Sequence, residues 1–457
     1  MRTTTTLLLL LASFPLFRPA LATDCAWTGG TGDWNVATNW SCGTVPGADD
    51  DVTVNTFDAV VTLNTAATIG ALTFSRGTLT GSGALTVNGA FAWIDGGTLG
   101  AAVTVFGEST FSSQVSMRIS GTLDLAGGAT WSNGNINMTD GAVLLNRTGR
   151  TFTDSAVGSH SIARVSVTST EPVVTNGGTW VTEGVGGTAM NVQFNNAGAL
   201  VVNGGGLEFV SPGQLTQGNT ATLRGTSVLD VDSGIAFTNA GSTQPGNGAG
   251  VPAVLSVRGD FPMTTNEHDL QIDLAGTAPG TGYDQLDVEN GDVTVNGRLF
   301  LTFADGFVPT VGQTFAVLTH TGNGSVSGCY ESEDIVVSPE AYEVAVVCTD
   351  EGIVAQVVAV TAGDPGAAPD ALALSAAYPN PFRTSTALVL TAPAAQRVTV
   401  ELFDALGRNV ATLFDGAVAG GEVRTLALEA VALPSGLYVV RARGEGFTLT
   451  RRVTLLR

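Results

Sequence analysis

From about residue 50 onward the chain alternates apolar and small polar residues over short runs, each closed by Gly or Asn. GALTF at 70–74, GALTV at 83–87, GTLDL at 121–125, GAVLL at 141–145 and GALVV at 198–202 share this form. Strand alternation sends every second side chain to one face. In GTLDL, Leu123 and Leu125 therefore point inward, and Thr122 and Asp124 outward. No window of about 12 residues carries a helical apolar period.

The runs recur. Gly121 and Gly141 lie 20 residues apart, as do Gly178 and Gly198, and a weaker run, SIARVSV, begins at Ser161. One such unit cannot bury its apolar face alone, but stacked units can. A period near 20 with several short strands per turn therefore predicts a right-handed parallel β-helix over residues 60–253. With coils about 4.8 Å apart, eight to ten of them make a rod of roughly 40–50 Å. An antiparallel sandwich expects hairpins every 8–12 residues or so and fits less well. The spacing drifts, from 13 between GALTF and GALTV to 23 between 198 and 221, which predicts loop insertions.

The pattern changes twice more. Residues 254–360 carry longer apolar runs, and 361–371, TAGDPGAAPDA, lose the period and read as a linker. In 372–457 the alternation is clean, as in 386–390, 398–402 and 437–441. About seven strands in this length predict a small immunoglobulin-like antiparallel β-sandwich.

Composition sharpens this picture. Glycine is frequent (59 of 457 residues) and only 13% of residues are charged. There is no lysine: all 19 basic residues are arginine. Residues 23–371 hold 8 Arg against 34 acids, and residues 372–457 hold 9 Arg against 6. The acidic body repels nucleic acid and anionic membranes, because phosphate binding needs clustered cations.

At the start, Arg2 precedes the apolar run Leu7–Phe17, and Ala20 and Ala22 frame a small-x-small cleavage pattern. Residues 1–22 therefore read as a secretory signal peptide, with the mature chain beginning at Thr23. The run is too short to span a bilayer, and no later stretch reaches 18 apolar residues, so no transmembrane segment is expected. In an exported chain, four cysteines point to disulfides. The local pairing, Cys25 with Cys42 and Cys329 with Cys348, is favoured over the two alternatives.

Residues 23–59 place Trp27, Trp34 and Trp40 between the first two cysteines. A disulfide-pinned cap is favoured over an exposed platform for sugar rings. The stretch resembles the start of many secreted β-solenoid proteins. Residues 283–318, with Y-D-Q-L, G-R-L and F-V-P-x-x-G-x-x-F-x-V-L, resemble the closing segment of autotransporter-like passenger regions. That resemblance implies wider last coils and a cap over 254–360. Asp284 and Asp287 are the most catalytic-looking acids of this segment, and a turn-tethering role for Asp284 is favoured over catalysis.

The C-terminal region resembles the type A sorting domain of the type IX secretion system. The residues that carry this are Tyr378-Pro379-Asn380-Pro381-Phe382, LFDALGRNV at 402–410, LPSGLYVVRAR at 433–443 and the basic end at Arg451, Arg452 and Arg457. The resemblance implies that residues 372–457 engage the outer-membrane secretion machinery of a Gram-negative bacterium. The cargo is then released or attached at the outer surface, where surface lipopolysaccharide and extracellular glycan are the partners within reach. Proline fixes its own φ and holds the preceding residue extended, so the pentapeptide enters the first strand stiffly, with Tyr378 and Phe382 facing the sandwich. Gly407 suits the bend in ALGRN and Gly436 a tight turn after Pro434. Tyr438 and Arg452 lie in the matching motifs.

Catalytic chemistry is thinly represented. No nucleophile-elbow, zinc-protease or P-loop pattern occurs. Asp230 and Asp232 share one strand face and are the best paired carboxylates, and a solvated face accounts for them equally well. Asp49–Asp51 read as a solvated turn rather than a calcium site. His160, with Arg147, Arg150 and Arg164 nearby, reads as an exposed loop histidine, with contact to an anionic glycan as the alternative. No catalytic residue, metal ligand or cofactor is assigned. The expected function is a secreted structural or adhesive β-helical protein; the alternative is a polysaccharide lyase or hydrolase, or a glycan-binding module.

Overall fold

The computed structural model describes residues 22–457 apart from 167–169, 249, 361–372, 376, 378–379, 383–384, 393, 420–422, 431–432, 445–446 and 457. Two compact units emerge. The first holds the chain to residue 302 with 313–338 and 345–356; the second holds 303–312, 339–344 and the C-terminal region from 357.

The first unit is a three-sided parallel β-helix. One turn runs through Asp51–Val54, Val60–Thr62 and Ala67–Ile69, and then returns to Ala71–Phe74 beside its own start. Asp51 lies opposite Ala71, 20 residues on. Repetition builds a 14-stranded first face, a 15-stranded second face and a 9-stranded third face. A three-stranded sheet of Phe261–Pro262, Val293–Thr294 and Val326–Ser327 takes the third place in the last turns.

This geometry explains the drifting period. GALTF contributes Ala71–Phe74 to the first face, whereas GALTV contributes Ala84–Val87 to the third. The 13-residue spacing is thus a step between faces and not a short coil. Thr179 opposite Ala199 is a 20-residue coil, and Ala199 opposite Thr222 is one lengthened to 23 by its loops. SIARVSV begins within His160–Arg164 on the second face, out of phase with the glycine-led units.

Glycine recurs because corners of adjacent coils approach too closely for a side chain. A Cβ on Gly198 would lie 1.9 Å from the Gly178 carbonyl oxygen, and one on Gly178 would lie 2.1 Å from that of Arg150. The inward positions are apolar and closed: Leu123 and Leu125 are fully buried. On the first face Phe74, Trp93, Phe111 and Trp131 follow one another in register. Trp93 meets Phe74 and Phe111 edge-on, with ring centroids 5.8 and 6.1 Å apart, a favourable aromatic arrangement.

The third face also buries polar groups. Asn146, Asn176, Asn196, Gln217 and Asn239 end its successive strands in register. The first four are linked in a chain: Asn146 Nδ2 donates to Asn176 Oδ1 (2.7 Å), Asn176 Nδ2 to Asn196 Oδ1 (2.6 Å) and Asn196 Nδ2 to Gln217 Oε1 (2.5 Å). Corner carbonyls of Thr179 and Ala199 accept from the same amides. These bonds satisfy most of the buried amide groups, while Asn146 Oδ1, Gln217 Nε2 and Asn239 Oδ1 have no hydrogen-bond partner among the described residues.

The stack is closed at both ends. Residues 23–59 extend it, since Asp24–Ala26 pairs with Asp51–Val54 and Thr31–Asp33 with Val60–Thr62. At the other end Gly352–Val360 runs antiparallel to Thr314–Thr321, with Thr314 opposite Gln356.

The C-terminal region forms two antiparallel sheets. One orders Ala373–Leu374, Ser385–Thr391 and Val423–Glu429; the other orders Asn409–Val418, Gln396–Asp404, Gly436–Gly444 and Phe447–Leu455. Leu388, Leu390, Val398, Val400, Leu402, Leu426, Val440 and Val453 fill the core between them. The expected linker, 361–371, lies outside the described residues. Among those described, no helix is long and apolar enough to cross a membrane.

Candidate functional site

The strongest sequence motif gains its geometry from the last strand. Asn380 Nδ2 donates to the Arg452 carbonyl (3.0 Å), and its Oδ1 accepts from Thr454 N–H (2.7 Å). Phe382 N–H then donates to Thr454 O, and Leu456 N–H to Phe382 O. The Asn380 side chain thus continues, as a surrogate peptide, the pairing that Phe382 makes with the strand edge. An unpaired edge is a template for unwanted pairing, and this segment covers part of it. Phe382 is buried in the core; Pro381 is exposed. Tyr378 and Pro379 lie outside the described residues.

The other motif residues divide. Gly407 has φ 78° and sits in the turn between two strands. Asp404 Oδ1 accepts from the N–H groups of Leu406 and Arg408, and its Oδ2 from Arg408 Nε. These bonds, the Arg408 amide first, hold its carboxyl below the usual range. Tyr438 is buried, and its hydroxyl donates to the Pro434 carbonyl at 2.6 Å. Gly436 corrects the expectation of a tight turn: it opens the strand Gly436–Gly444, and a Cβ there would meet open space. Arg452 is exposed and lies opposite Val439. Arg441 pairs with Glu401 at 3.0 Å and covers the Phe403 ring at 3.9 Å.

In the β-helix the sequence candidates mostly become structural. Cys25–Cys42 and Cys329–Cys348 are both bonded, which is the local pairing. Trp27, Trp34 and Trp40 are buried, with Trp40 edge-on to both others, so they form no sugar platform. Asp50 accepts from the N–H groups of Thr23 and Gly47.

His160 requires correction. It lies in a strand and is buried rather than in an exposed loop. Its Nε2 is 2.8 Å from Asp154 Oδ1, its Nδ1 is 2.9 Å from the Gly158 carbonyl, and Thr188 donates to the same Asp154. Burial alone lowers its pKa, but the Asp154 bond and charge outweigh that and leave it raised. Two of its cationic neighbours are engaged elsewhere, Arg147 with Asp124 and Arg164 with Asp140 and Glu171, while Arg150 is exposed. What is corrected is the placement of His160, whose imidazole faces Asp154 inside the coils.

Asp284 is buried and accepts from Ala253 N–H (2.8 Å) and Asp273 N–H (2.9 Å). Burial raises its pKa to about 7. It ties two backbone segments together, as the tether reading expects, and Asp287 accepts from the Thr319 hydroxyl. Asp230 lies opposite Glu208 on one side and Arg258 on the other. Glu208 has its pKa raised, first by burial and then by Asp230 and Asp232. Among the described residues no group of three or more His, Cys, Asp or Glu is arranged to hold a metal.

Ala20 lies outside the described residues, and Ala22 is exposed at their start. Comparison with curated proteins finds no match. Among solved structures, dimeric latent PorU from Porphyromonas gingivalis is similar over 23% of this chain and 10% of its own, at 17% identity and a TM-score of 0.17. Residues 376–455 match the family described as the secretion system C-terminal sorting domain. The sandwich and its Asn380–Phe382 clamp are therefore a type IX sorting domain, and the chain that carries it is a secreted or cell-surface protein.

Proposed function

We propose that the protein is a structural or adhesive β-helix, exported through residues 372–457 after removal of residues 1–22 and presented on or released from the outer surface. The supporting observation is a repeating outer row of small polar groups. Thr68, Thr86 and Thr104 stand in register on the third face. Asp124 and Leu145 interrupt the row, and Thr175, Asn195, Thr216 and Thr238 resume it further along. These threonines and Asn195 are all at least partly exposed. Spaced about 4.8 Å apart, such groups offer many equivalent weak contacts, which multivalent binding adds together. Extracellular glycan or surface lipopolysaccharide is the partner class for this row.

The test has two arms. Protease shaving of intact cells and assay of the medium should find the β-helix outside, with its N-terminus at Thr23. Incubation of the purified chain with polysaccharides should release no reducing ends. Release that disappears in Asp230→Asn would overturn this reading in favour of a polysaccharide-active enzyme.

A further inference from the structure

The corner between the first and second faces carries a feature that the sequence did not flag. Four successive coils turn there, at Phe57, Arg76, Asp95 and Val115, and enclose an open cleft of about 420 Å³. Phe57 is 71% exposed at one end and Val115 53% exposed at the other. Arg76 and Asp95 stand between them, joined at 2.6 Å. The floor is Gly96 and Gly97, both at positive φ. A Cβ on Gly96 would lie 2.8 Å from Val115 Cγ2, and one on Gly97 would lie 2.7 Å from the Phe74 ring. Any larger residue at either position would fill or distort the cleft.

From this arrangement we infer a binding site for a neutral polysaccharide chain, with one or two pyranose rings seated between Phe57 and Val115. An aromatic face is electron-rich and the C–H face of a pyranose is not, so the two stack. The rest of the lining is mixed, with the hydroxyls of Thr78, Thr98 and Ser116 beside the two apolar ends, and a few polar groups of that kind are what orient a small ligand in its site. Arg76 and Asp95 hold each other in place and present a donor beside an acceptor, the pattern that sugar hydroxyls match. The charge selects a neutral ligand. Arg76 is neutralised by Asp95, Asp58 adds a further carboxylate to the lining, and the surrounding body is strongly acidic. An anionic polymer is repelled there.

The inference depends on the proposed function only in requiring that the cleft face the outside, and its test is separate. The full chain from Thr23 is run in native gels containing a neutral β-glucan, an α-mannan, a xylan or polygalacturonate. Retardation is expected in at least one neutral gel and none in polygalacturonate. Phe57→Ala should weaken retardation at least about fivefold, Phe57→Trp should preserve it, and Arg76→Gln should weaken it by a smaller factor. Because Phe57 is exposed, an unchanged thermal midpoint for Phe57→Ala separates lost binding from lost fold. No retardation in any neutral gel, or retardation that Phe57→Ala leaves intact, overturns the inference. A chain that is displayed but not retarded loses the cleft alone; one retarded but not displayed loses the proposed function alone.

Discussion

The β-helix and the sorting domain are both built from short alternating strands, yet they use sequence in opposite ways. In the β-helix one rule is applied many times: apolar in, small polar out, glycine where corners meet. No single residue identifies a function, and neighbouring coils substitute for each other. In the sorting domain each motif residue has one task. Asn380 pairs with the last strand, Asp404 and Gly407 shape one turn, and Tyr438 reaches back to Pro434. Repetition yields a scaffold, whereas singular contacts yield a recognisable module. The role of the module is therefore legible from its residues, while that of the scaffold must be sought where the repetition is broken, as at Phe57.

The comparison breaks hardest by removing the module. Deletion of 372–457 should abolish export and leave the chain in the periplasm by cell fractionation. The far-ultraviolet spectrum of the truncated protein should stay β-rich, since the coils bury their own core. Normal surface display of that truncation would sink the assignment of sorting to this module.

A change in the repeated rule should cost the scaffold more than a change at an unconstrained glycine costs the module. Gly198→Leu drives a side chain into the Gly178 carbonyl and should destabilise by about 3 kcal/mol or more. Gly436→Ala has open space around it and should fall within about 0.5 kcal/mol of the parent. Denaturant midpoints measure both.

Buried and exposed amides sharpen the contrast. Asn176→Ala unpairs Asn146, Asn196 and the Ala199 carbonyl inside the coils and should cost about 2–3 kcal/mol. Asn380→Ala frees the same kind of groups at a surface edge, where water replaces them, and should cost about 1 kcal/mol. Equal costs for the two would show that burial is not what distinguishes them.

These amides also mark how far the sequence could be read. Strand alternation and the 20-residue period were visible, and so were the inward places of Leu123 and Leu125. The face to which each glycine-led run belongs was not, because it depends on loop lengths that leave the pattern unchanged. The Asn ladder was hidden because asparagine at the end of a short apolar run reads as a turn former. His160 was misread because Thr188, which shares Asp154 with it, comes from the next coil. Asn380 was seen as a stiff link between prolines, but its two bonds reach residues more than 70 positions away.

The smallest expected effect separates two histidines within the scaffold itself. His160 has its pKa raised by Asp154, so the folded state holds its proton more tightly than the unfolded chain. Its contribution is complete below about pH 6.5 and is lost as pH rises through the raised value. His268 is fully buried beside Asn239 and Thr243, and burial lowers its pKa to about 4. The unfolded chain takes that proton first, so stability is complete above about pH 6.5 and falls as pH drops toward 4. Each slope is at most about 1.4 kcal/mol per pH unit. Asp284, raised to about 7, loses its own contribution as pH rises from about 4 to 7 and so opposes the His268 slope over that window; the histidines are therefore read by difference. In denaturant midpoints measured across pH, His160→Gln should flatten only the alkaline limb and His268→Gln only the acid limb. A flattening on the same side for both would mean that Asp154 does not set the charge of His160.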